Sequence, residues 1–497
     1  MVILALHCPA RVLADSPQLL QLRVTQHRLT NGWTFLFVER HKLPVVSFLT
    51  VAGAGSSQDG HGTTGLAHMF EHMAFKGTTV VGTTDFAREA EQLELVESTG
   101  AILSAEIARP GGGDPGKTKD LAKRFQAAQD QADLLAVPGA FEDAIRREGG
   151  IRLNAFTNTD VTGYSVSLPA NKVELWAYLE SGRFLNPVFR QFYKEREVVK
   201  HEQTLRTGSP GGRAFEEFVS LAFKAHPYRY PVLGYPSDLS ALTASDARRF
   251  HAEHYVPANM ITAIVGDIDP ARLIPLLETY FGRIPAGPPA RPVRTVEPPQ
   301  EGERRTVLPD RRQSLYLEGY HVPAASHPDA PALQAVAHLL GSGRASRLYV
   351  QLVRERRLGE RVSAIAGYPG QRYPGLFAVL TVPAEGRRLA DLEAAVRSVM
   401  DRLATDGVSA AELARVRALS RTELLRKLTT SEGLARELAV HQASFGDWRS
   451  LVRELEGIDA VTAEQIRDVS QRYFTARNRT VVILEADPPD GERKAER

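Results

Sequence analysis

Cysteine is almost absent from this sequence of 497 residues, in which Cys8 is the only one. A single cysteine excludes a disulfide within the chain, and it excludes sites built from several thiolates, such as an iron–sulfur cluster. No apolar run approaches the roughly 20 residues that a membrane helix needs, so we expect no membrane span. An excess of one charge is also missing. The net charge is +2, and we therefore expect no nucleic-acid partner.

The N-terminal segment, residues 1–22, contains the apolar run from Val2 to Leu6 and the small residue Ala14 just before a polar stretch. It resembles the remnant of a signal peptide. That interpretation predicts a periplasmic or otherwise extracytoplasmic protein. A frayed terminus is the alternative, and with it a cytoplasmic location.

Six prolines fall in one stretch, "RIPAGPPARPVRTVEPPQEGERR", where residues 287–305 have the composition of an extended linker. The flanking segments end alike. "LTASDARRFHAEHYVPANMITAIVGDID" and "VTAEQIRDVSQRYFTARNRTVVILEADP" each run from a capped helix through Tyr and Asn into an apolar strand. We therefore predict two homologous, duplicated α+β domains that face each other, each with an antiparallel sheet flanked by helices. Their expected bounds are 23–286 and 306–490, with a polar tail at 491–497.

Three local features are predicted for the first of these domains. Asn31-Gly32 between apolar runs indicates a β-hairpin. Residues 64–76 are predicted to be helical, with Thr63 or Thr64 as the N-cap and Gly77 at the end. Residues of about 103–150 have the composition of an inserted loop and polar helix. We interpret this insertion as a surface excursion, with a coiled-coil partner as the alternative.

The predicted helix carries the candidate metal-binding and catalytic residues. Within "GLAHMFEHMAFKGT", His68, Glu71 and His72 lie in an otherwise apolar segment. At i and i+4 the two histidines lie roughly 40° apart on one helix face. Two such imidazoles can bind one Zn²⁺ at about 2.0–2.1 Å. Fewer than about 0.05 matches to H-x-x-E-H are expected by chance in a chain of this composition. A pair of buried histidines satisfied by backbone carbonyls is the alternative.

H-x-x-E-H is the inverted zinc-peptidase signature. With "EREVVKHE" and "NAFTNTDVTGY" further along the chain, the sequence resembles the pitrilysin/insulinase-type zinc metallopeptidases, peptidase family M16, and among them the bacterial processing-peptidase-like members. The resemblance extends over residues of about 25–485. It implies one Zn²⁺ per chain, with His68 and His72 as ligands and Glu71 as the catalytic general base.

The same resemblance supplies a third ligand, since catalytic zinc usually has three from the protein. The family has a downstream helix with a pattern like E-R-x-V-x-x-x-E, which matches Glu195 and Glu202 here. Seven residues are two helical turns, so both carboxylates face the same way. The match implies that Glu202 binds the metal and that Glu195 serves the catalytic site as a supporting carboxylate that orients a ligand. Taken alone, this run is typical of a charged amphipathic helix.

One departure from the family pattern concerns the separation of the ligands. Glu202 lies 130 residues after His72, whereas the shorter relatives have about seventy-odd residues between the two positions. The excess is close to the length of the insertion. We therefore expect the insertion to leave the site helices undisturbed, and a different acidic ligand remains the alternative.

Substrate-binding residues follow from the resemblance as well. Asn154 and Ala155 match a strand to which an extended peptide adds as a further strand, although the stretch alone is typical of a plain hairpin. Arg354 matches an arginine that relatives pair with a tyrosine near the zinc, but Glu360 and Arg361 stand where that tyrosine falls. In some bacterial members one chain carries the zinc site and a second chain carries the Arg/Tyr pair. The resemblance therefore implies a heterodimer with a related chain that carries this pair. A homodimer is the alternative.

The function implied by these matches is that of a zinc-dependent metalloendopeptidase. It would hydrolyse peptide bonds in unfolded or extended peptides, with the two domains closing as a clamshell around them. A non-catalytic peptide-binding or scaffold member of the same family is the alternative.

Overall fold

A computed structural model of the chain describes residues 22–109, 113–289 and 291–486. Cys8, nearly all of the N-terminal segment 1–22 and the polar tail 491–497 lie outside these ranges. The described strands form two sheets. The strands of the first sheet are β1 Thr25–Arg28, β2 Thr34–Glu39, β3 Val45–Ala52, β4 Ile151–Thr157, β5 Thr162–Pro169 and β6 Met260–Gly266. Those of the second are β7 Arg304–Asp310, β8 Leu315–Val322, β9 Gly359–Tyr368, β10 Gly375–Pro383 and β11 Arg479–Ala486.

Helices connect and cover the two sheets. Those that precede β7 are α1 Leu66–Met73, α2 Phe86–Ile107, α3 Pro115–Asp133, α4 Ala140–Arg147, α5 Val173–Leu185, α6 Phe192–Thr207, α7 Pro210–Ala222, α8 Pro236–Ala241, α9 Ala244–His254 and α10 Pro270–Phe281. Those that follow it are α11 Ala330–Gly341, α12 Leu389–Asp406, α13 Ala410–Thr429, α14 Ser431–Phe445, α15 Ser450–Ala460 and α16 Ala463–Tyr473. A short π-helical segment, Tyr349–Glu355, lies between α11 and β9. None of the described helices is long and apolar enough to cross a membrane.

The strand orders of the two sheets repeat each other. The first sheet runs β1-β2-β6-β3-β5-β4 and the second runs β7-β11-β8-β10-β9. In each sheet one neighbouring pair is parallel, β2 with β6 and β7 with β11, and the pairs that follow are antiparallel. Apart from the added hairpin strand β1, the two orders are the same. The predicted fold of two homologous α+β units is thereby confirmed.

The two similar sequence ends form the same local structure. Thr243 and Thr462 each cap a helix of 11 residues, with the side chain of the third helical residue bonded back to the cap. In both copies the later asparagine, Asn259 or Asn478, donates through Nδ2 to the carbonyl five residues before it, at 2.8 Å. The asparagine thus satisfies a carbonyl at the helix end that has no partner within the helix. Because both helices end with such a carbonyl, both copies contain an asparagine at this position.

Each half of the chain contributes a helix to the other half's sheet. α14 packs on the first sheet, where Leu434 and Leu438 meet Leu49 and Val51 in one buried cluster. Reciprocally, α7 packs on the second sheet through Phe218, which is fully buried with Leu317 and Val482. The opposite faces carry separate cores made largely by each half's own helices. The two halves are therefore interlocked as well as joined by a linker.

The proline-rich stretch between the halves is anchored at one point. The structure assigns neither helix nor strand to residues 284–289 and 291–303, whereas residues 304 and 305, the last two of the expected linker, begin β7. Glu297 within it accepts hydrogen bonds from the backbone N–H groups of three consecutive residues, Lys224, Ala225 and His226, at 2.8–3.0 Å. These bonds hold the linker against the end of α7.

The insertion lies at the surface and also packs on the rest of the chain. It consists of the last turn of α2 together with α3 and α4, and α3 buries Leu121, Ala128 and Ala132. The Phe125 ring packs edge-on against Tyr193 of α6, with centroids 4.9 Å apart. Because apolar side chains recur along one face of α3, the insertion packs on the body of the protein and contacts the helix that carries Glu195 and Glu202.

Candidate metal centre

The helix that carries the histidines is short and deeply buried. α1 begins at Leu66 and ends at Met73, inside the predicted range 64–76, and Phe70 and Met69 are fully buried. The predicted caps are wrong. Gly65 is the N-cap, with a left-handed φ of 87°, and the helix stops before Gly77, which lies in the following turn. Gly77 has a positive φ of 87°, but it serves the turn instead of the helix end.

Two carboxylates replace the predicted threonine caps. Asp59 is buried and accepts hydrogen bonds from the backbone N–H of Gly65 at 2.8 Å and of Ala67 at 2.9 Å. Asp238 of α8 accepts from the Thr64 N–H at 3.2 Å and from its hydroxyl at 2.7 Å. Both carboxylates lie at the positive end of α1. They fix the direction in which the helix enters the site.

Three side chains converge beside α1. Nε2 of His68 and Nε2 of His72 each lie 3.8 Å from Oε2 of Glu202 on α6. The two imidazole rings are 4.8 Å apart and inclined by 73°. Donor atoms of these three residues all lie within 4.8 Å of one another. The structure therefore brings together the three residues that the sequence and the family resemblance single out.

This donor set fits a zinc ion. Tetrahedral zinc with bonds of about 2.0–2.1 Å separates its ligand atoms by about 3.3 Å. The two nitrogen–oxygen distances of 3.8 Å are close to this separation. Burial lowers the pKa of His68 to about 3, helped by the charges of His72 and Arg206. His68 is therefore neutral at physiological pH, as a metal-binding imidazole must be.

Glu195 orients the second histidine through Nδ1, which leaves Nε2 on the side of Glu202. Its Oε1 lies 2.8 Å from Nδ1 of His72, and its Oε2 lies 2.5 Å from Nζ of Lys76. Burial opposes the charge of Glu195, but the hydrogen bonds from His72 and Lys76 outweigh burial and lower the pKa of Glu195 to about 2. With the proton of His72 on Nδ1, the Nε2 lone pair is free to face Glu202.

Glu71, the expected general base, has a separate partner. The hydroxyl of Thr157, at the end of β4, donates to Oε2 of Glu71 at 2.6 Å. Burial raises the pKa of Glu71 above its ordinary value, and the hydrogen bond from Thr157 partly offsets this. A carboxylate with a raised pKa beside a metal site suits proton transfer near neutral pH.

The expected peptide-binding residues lie on a free sheet edge. β4 is the outer strand of the first sheet, and it pairs on one side only, with Asn154 opposite Ser165 and Ala155 opposite Tyr164. Among the described strands, none pairs with its other side, as at the edge of any sheet. Asn154 and Ala155 also line a cavity that contains Glu71 and His72.

Arg354 is not brought to this centre. It lies in the π-helical segment of the second half, where its side chain is 63% exposed and contacts its neighbour Glu355 at 3.5 Å. Glu360 and Arg361 are exposed on β9. Of the two nearby tyrosines, Tyr368 packs on Phe215 between the halves. The other, Tyr373, accepts a hydrogen bond from the backbone N–H of Val293.

Sequence reasoning missed three residues of the site: Asp59, Lys76 and Thr157. The only available signal for Lys76 was its i+4 spacing from His72, which ends outside the helix. Asp59 and Thr157 act across loops and strands, and no local pattern reports such contacts.

Comparisons with known proteins agree with this geometry. The model described as "Insulinase (Peptidase family M16)" matches residues 36–108, and the model described as "Peptidase M16 inactive domain" matches residues 241–420. Together the two models match about half of the chain. The chain belongs to peptidase family M16.

Relatives and solved structures match nearly the full length of the chain. The zinc protease PqqE of Helicobacter pylori is 25% identical over 467 residues, which are 92% of this chain and 91% of that protein. The crystal structure of a protease from Helicobacter pylori superposes with a TM-score of 0.78 at 23% identity, over 93% of this chain and 99% of that one. The periplasmic protease PqqL of Escherichia coli matches with a TM-score of 0.68 at 16% identity, over 93% of this chain but 48% of that one.

Proposed function

We propose that this chain is a zinc-dependent metalloendopeptidase that cleaves unfolded or extended peptides, with His68, His72 and Glu202 as zinc ligands. The observation that carries the proposal is the convergence of two imidazole nitrogens and one carboxylate oxygen, within 4.8 Å of one another, beside a further carboxylate. Three protein ligands with room for a water are typical of catalytic zinc sites. The names of the relatives as zinc proteases support the same activity.

Each residue of the centre has a distinct role in the proposed mechanism. Zinc bound by His68, His72 and Glu202 would supply Lewis acidity toward the peptide carbonyl and a water molecule. Glu71 takes a proton from the attacking water and delivers it to the leaving amine. Thr157 holds one oxygen of Glu71, at 2.6 Å, so that the other faces the reactants.

The substrate backbone would be held by strand addition. β4 offers the unpaired N–H and C=O groups of its outer side, and Asn154 and Ala155 lie beside the proposed zinc site. A folded protein cannot present a free extended segment to this edge. Selection of unfolded or extended peptides follows from that requirement.

A second chain is the proposed source of the missing substrate contacts. Arg354 faces solvent, far along the chain from the centre, and the tyrosine expected to accompany it is replaced. We propose a heterodimer with a related chain that carries the Arg/Tyr pair, or else a homodimer. The match to only about half of the periplasmic protease PqqL supports an enzyme built from two such units. The same relative and the N-terminal segment support a periplasmic location.

The proposed units within the chain follow the sequence boundaries: a zinc-binding domain 23–286 with the insertion 103–150, a linker 287–305 and a second domain 306–490. The second candidate function, a non-catalytic peptide-binding or scaffold protein, is favoured by one observation. Residues 241–420 match the model described as an inactive domain. However, that match does not include the three proposed ligands or Glu71.

The test uses the full chain and a quenched unstructured peptide. Cleavage that a chelator abolishes and zinc restores supports the proposal. Glu71→Gln should keep stoichiometric zinc and lose at least about 10³-fold in kcat. The matched control is Glu94→Gln, an exposed glutamate of α2, which should behave as wild type. If purified protein binds no transition metal, or if Glu71→Gln retains full activity, the assignment is wrong. If activity requires a second chain, the dimer proposal is supported.

A further inference from the structure

One ion pair in the second half has the composition and geometry of two proposed zinc ligands. Nδ1 of His338, on α11, lies 3.7 Å from Oε2 of Glu423, on α13. In the first half, Nε2 of His72 lies 3.8 Å from Oε2 of Glu202. The side chains are 15% and 39% exposed in the second pair, against 22% and 48% in the first. The two pairs are therefore alike in residue type, separation and burial.

The two glutamates occupy equivalent positions in the duplicated fold. The helices α6 and α13 each precede the helix that crosses to the other half's sheet. Glu202 lies seven residues before Ser209, the N-cap of α7. In the same way, Glu423 lies seven residues before Thr430, the N-cap of α14. On both helices the residues three before and one after the glutamate are buried, namely Val199, Gln203, Ser420 and Leu424. The helix α13 is therefore the counterpart of α6.

The two histidines correspond in the same way. His72 lies five residues before Gly77. His338 lies five residues before Gly343. Both glycines follow the end of their helix and have a left-handed φ, of 87° and 75°. In this register five buried residues of α1 match five of α11: Leu66, Ala67, Met69, Phe70 and Met73 match Ala332, Leu333, Ala335, Val336 and Leu339. The helix α11 is therefore the counterpart of α1.

The other members of the first centre lack a functional counterpart on α11. In the same register, Gln334 stands where α1 has His68. Ala337 stands where α1 has Glu71. Alanine cannot accept a proton, so this position offers no general base. The glutamine leaves two of the three protein ligands that zinc usually takes in a site of this kind.

Position 334 is placed to complete the set of ligands. Gln334 lies four residues before His338, the spacing that puts His68 and His72 on one helix face. It is half-buried and lines a cavity of about 360 Å³, which leaves room for an imidazole. Either ring nitrogen of a neutral histidine can bind a metal, so the Nδ1 that faces the glutamate is a suitable ligand. Binding would exchange the contact of this Nδ1 with Oγ of Ser342, at 3.0 Å, for a bond to the ion.

We propose that the second half contains an incomplete site for zinc or a similar divalent ion, with His338 and Glu423 as two ligands and the third missing at position 334. This inference takes the proposed zinc centre of the first half as its template, and it goes beyond the proposed function by adding a second metal site. The alternative is an ordinary ion pair between two helices. Such a pair has no reason to match the register of the first centre at both residues, and it would gain no metal affinity from one added histidine.

The test adds the missing ligand to the full chain. Gln334→His supplies an imidazole about one helical turn before His338. Each protein is loaded with zinc, desalted and analysed for zinc per chain. Gln334→His should bind one zinc ion more than wild type, and Gln334→His combined with Glu423→Gln should bind the same amount as wild type. The matched control is Gln471→His, at an exposed position of α16, which should also equal wild type.

A second variant keeps the test decisive if the first does not fold. Gln334→Glu changes an amide to a carboxylate of the same shape, which is also a zinc ligand, and it should bind the additional ion too. If the variants that keep the wild-type far-ultraviolet circular dichroism bind no additional zinc, the inference is wrong. An additional ion that remains after Glu423→Gln also overturns it, because the proposed ligand would then have no part in binding.

Removing the first centre separates failure of this inference from failure of the proposed function. His68→Gln should lose the zinc of the first half, and His68→Gln combined with Gln334→His should bind one ion. That ion supports the second site even if wild type binds no zinc and cleaves no peptide. Wild type that binds one zinc ion and cleaves the peptide, with no gain of zinc in Gln334→His, overturns the second site and leaves the peptidase proposal standing.

Discussion

Lys76 and Glu195 form the closest charge pair of the site, with Nζ of the lysine 2.5 Å from Oε2 of the glutamate. The other oxygen of the same carboxylate contacts Nδ1 of His72 at 2.8 Å. One carboxylate therefore bridges a proposed zinc ligand and a fixed cation. The arrangement orients the imidazole before any metal arrives, which lowers the entropic cost of binding the metal.

Replacing Lys76 should weaken zinc binding without touching a ligand. In Lys76→Met the carboxylate of Glu195 loses one of its two hydrogen-bond partners, and the orientation of His72 is less defined. We expect the zinc dissociation constant to rise by about tenfold or more, the usual effect of losing such an outer contact. Competition with a chromophoric chelator measures it. Lys42→Met, at an exposed position outside the site, is the control, and equal affinities of the two variants would contradict the role of Lys76.

The hydrogen bond from Thr157 should set the acid limb of the pH–rate profile. Burial raises the pKa of Glu71, and the Thr157 hydroxyl lowers it by bonding to the charged form. Removing the hydroxyl in Thr157→Val therefore raises the pKa further. Because Glu71 acts as a base only when ionised, the acid limb of kcat/KM should move to higher pH. Thr157→Ser keeps the hydroxyl and should keep the wild-type profile. An acid limb that moves to lower pH in Thr157→Val would contradict this account.

Metal removal should lower stability and leave the fold intact. A metal that binds only the native state stabilises it by about 2.7 kcal/mol when its free concentration is one hundred times the dissociation constant. Neither of the two large apolar cores includes a proposed zinc ligand. Chelation should therefore lower the calorimetric midpoint while the far-ultraviolet circular dichroism at 25 °C stays unchanged. Loss of helical signal on chelation would show that the metal is needed for folding.

The interlocked helices predict that the halves unfold together. Phe218 of α7 is fully buried against the second sheet although it belongs to the first half. Phe218→Ala should cost about 3–5 kcal/mol in the free energy of unfolding. We expect a single calorimetric transition before and after the change. Val296→Ala, at a position that is 80% exposed, should have little effect. Two separate transitions in the wild-type protein would contradict the interlock.

The sequence was sufficient for those parts of the site that depend on local spacing. His68 and His72 lie on one helix face because four residues make about one turn, and Glu195 with Glu202 share a face because seven make two. The duplicated sheets were visible in the repeated cap, tyrosine and asparagine. Contacts between residues far apart in the sequence could not be predicted in this way. Asp59 was missed because it caps α1 across a loop, and Thr157 because it lies on a strand far from Glu71 in the sequence.

The insertion shows a different limit of sequence reasoning. Its polar composition predicted exposure, and most of α3 is indeed exposed. Three buried positions on one face of α3 were enough to pack the insertion against the rest of the chain. Composition also does not show that residues 137–142 of the insertion line the cavity beside Glu71 and His72. Arg354 is the converse case. Its motif matched the family, but in the folded chain its side chain is largely exposed and contacts Glu355.

The reciprocal exchange of α7 and α14 has a consequence for limited proteolysis. The exposed linker is the natural point of attack, since its backbone forms neither helix nor strand where the structure describes it. A nick there would sever the polypeptide without freeing either fragment, because each would still have a helix embedded in the other. Two bands on a denaturing gel would then elute as one species from a sizing column.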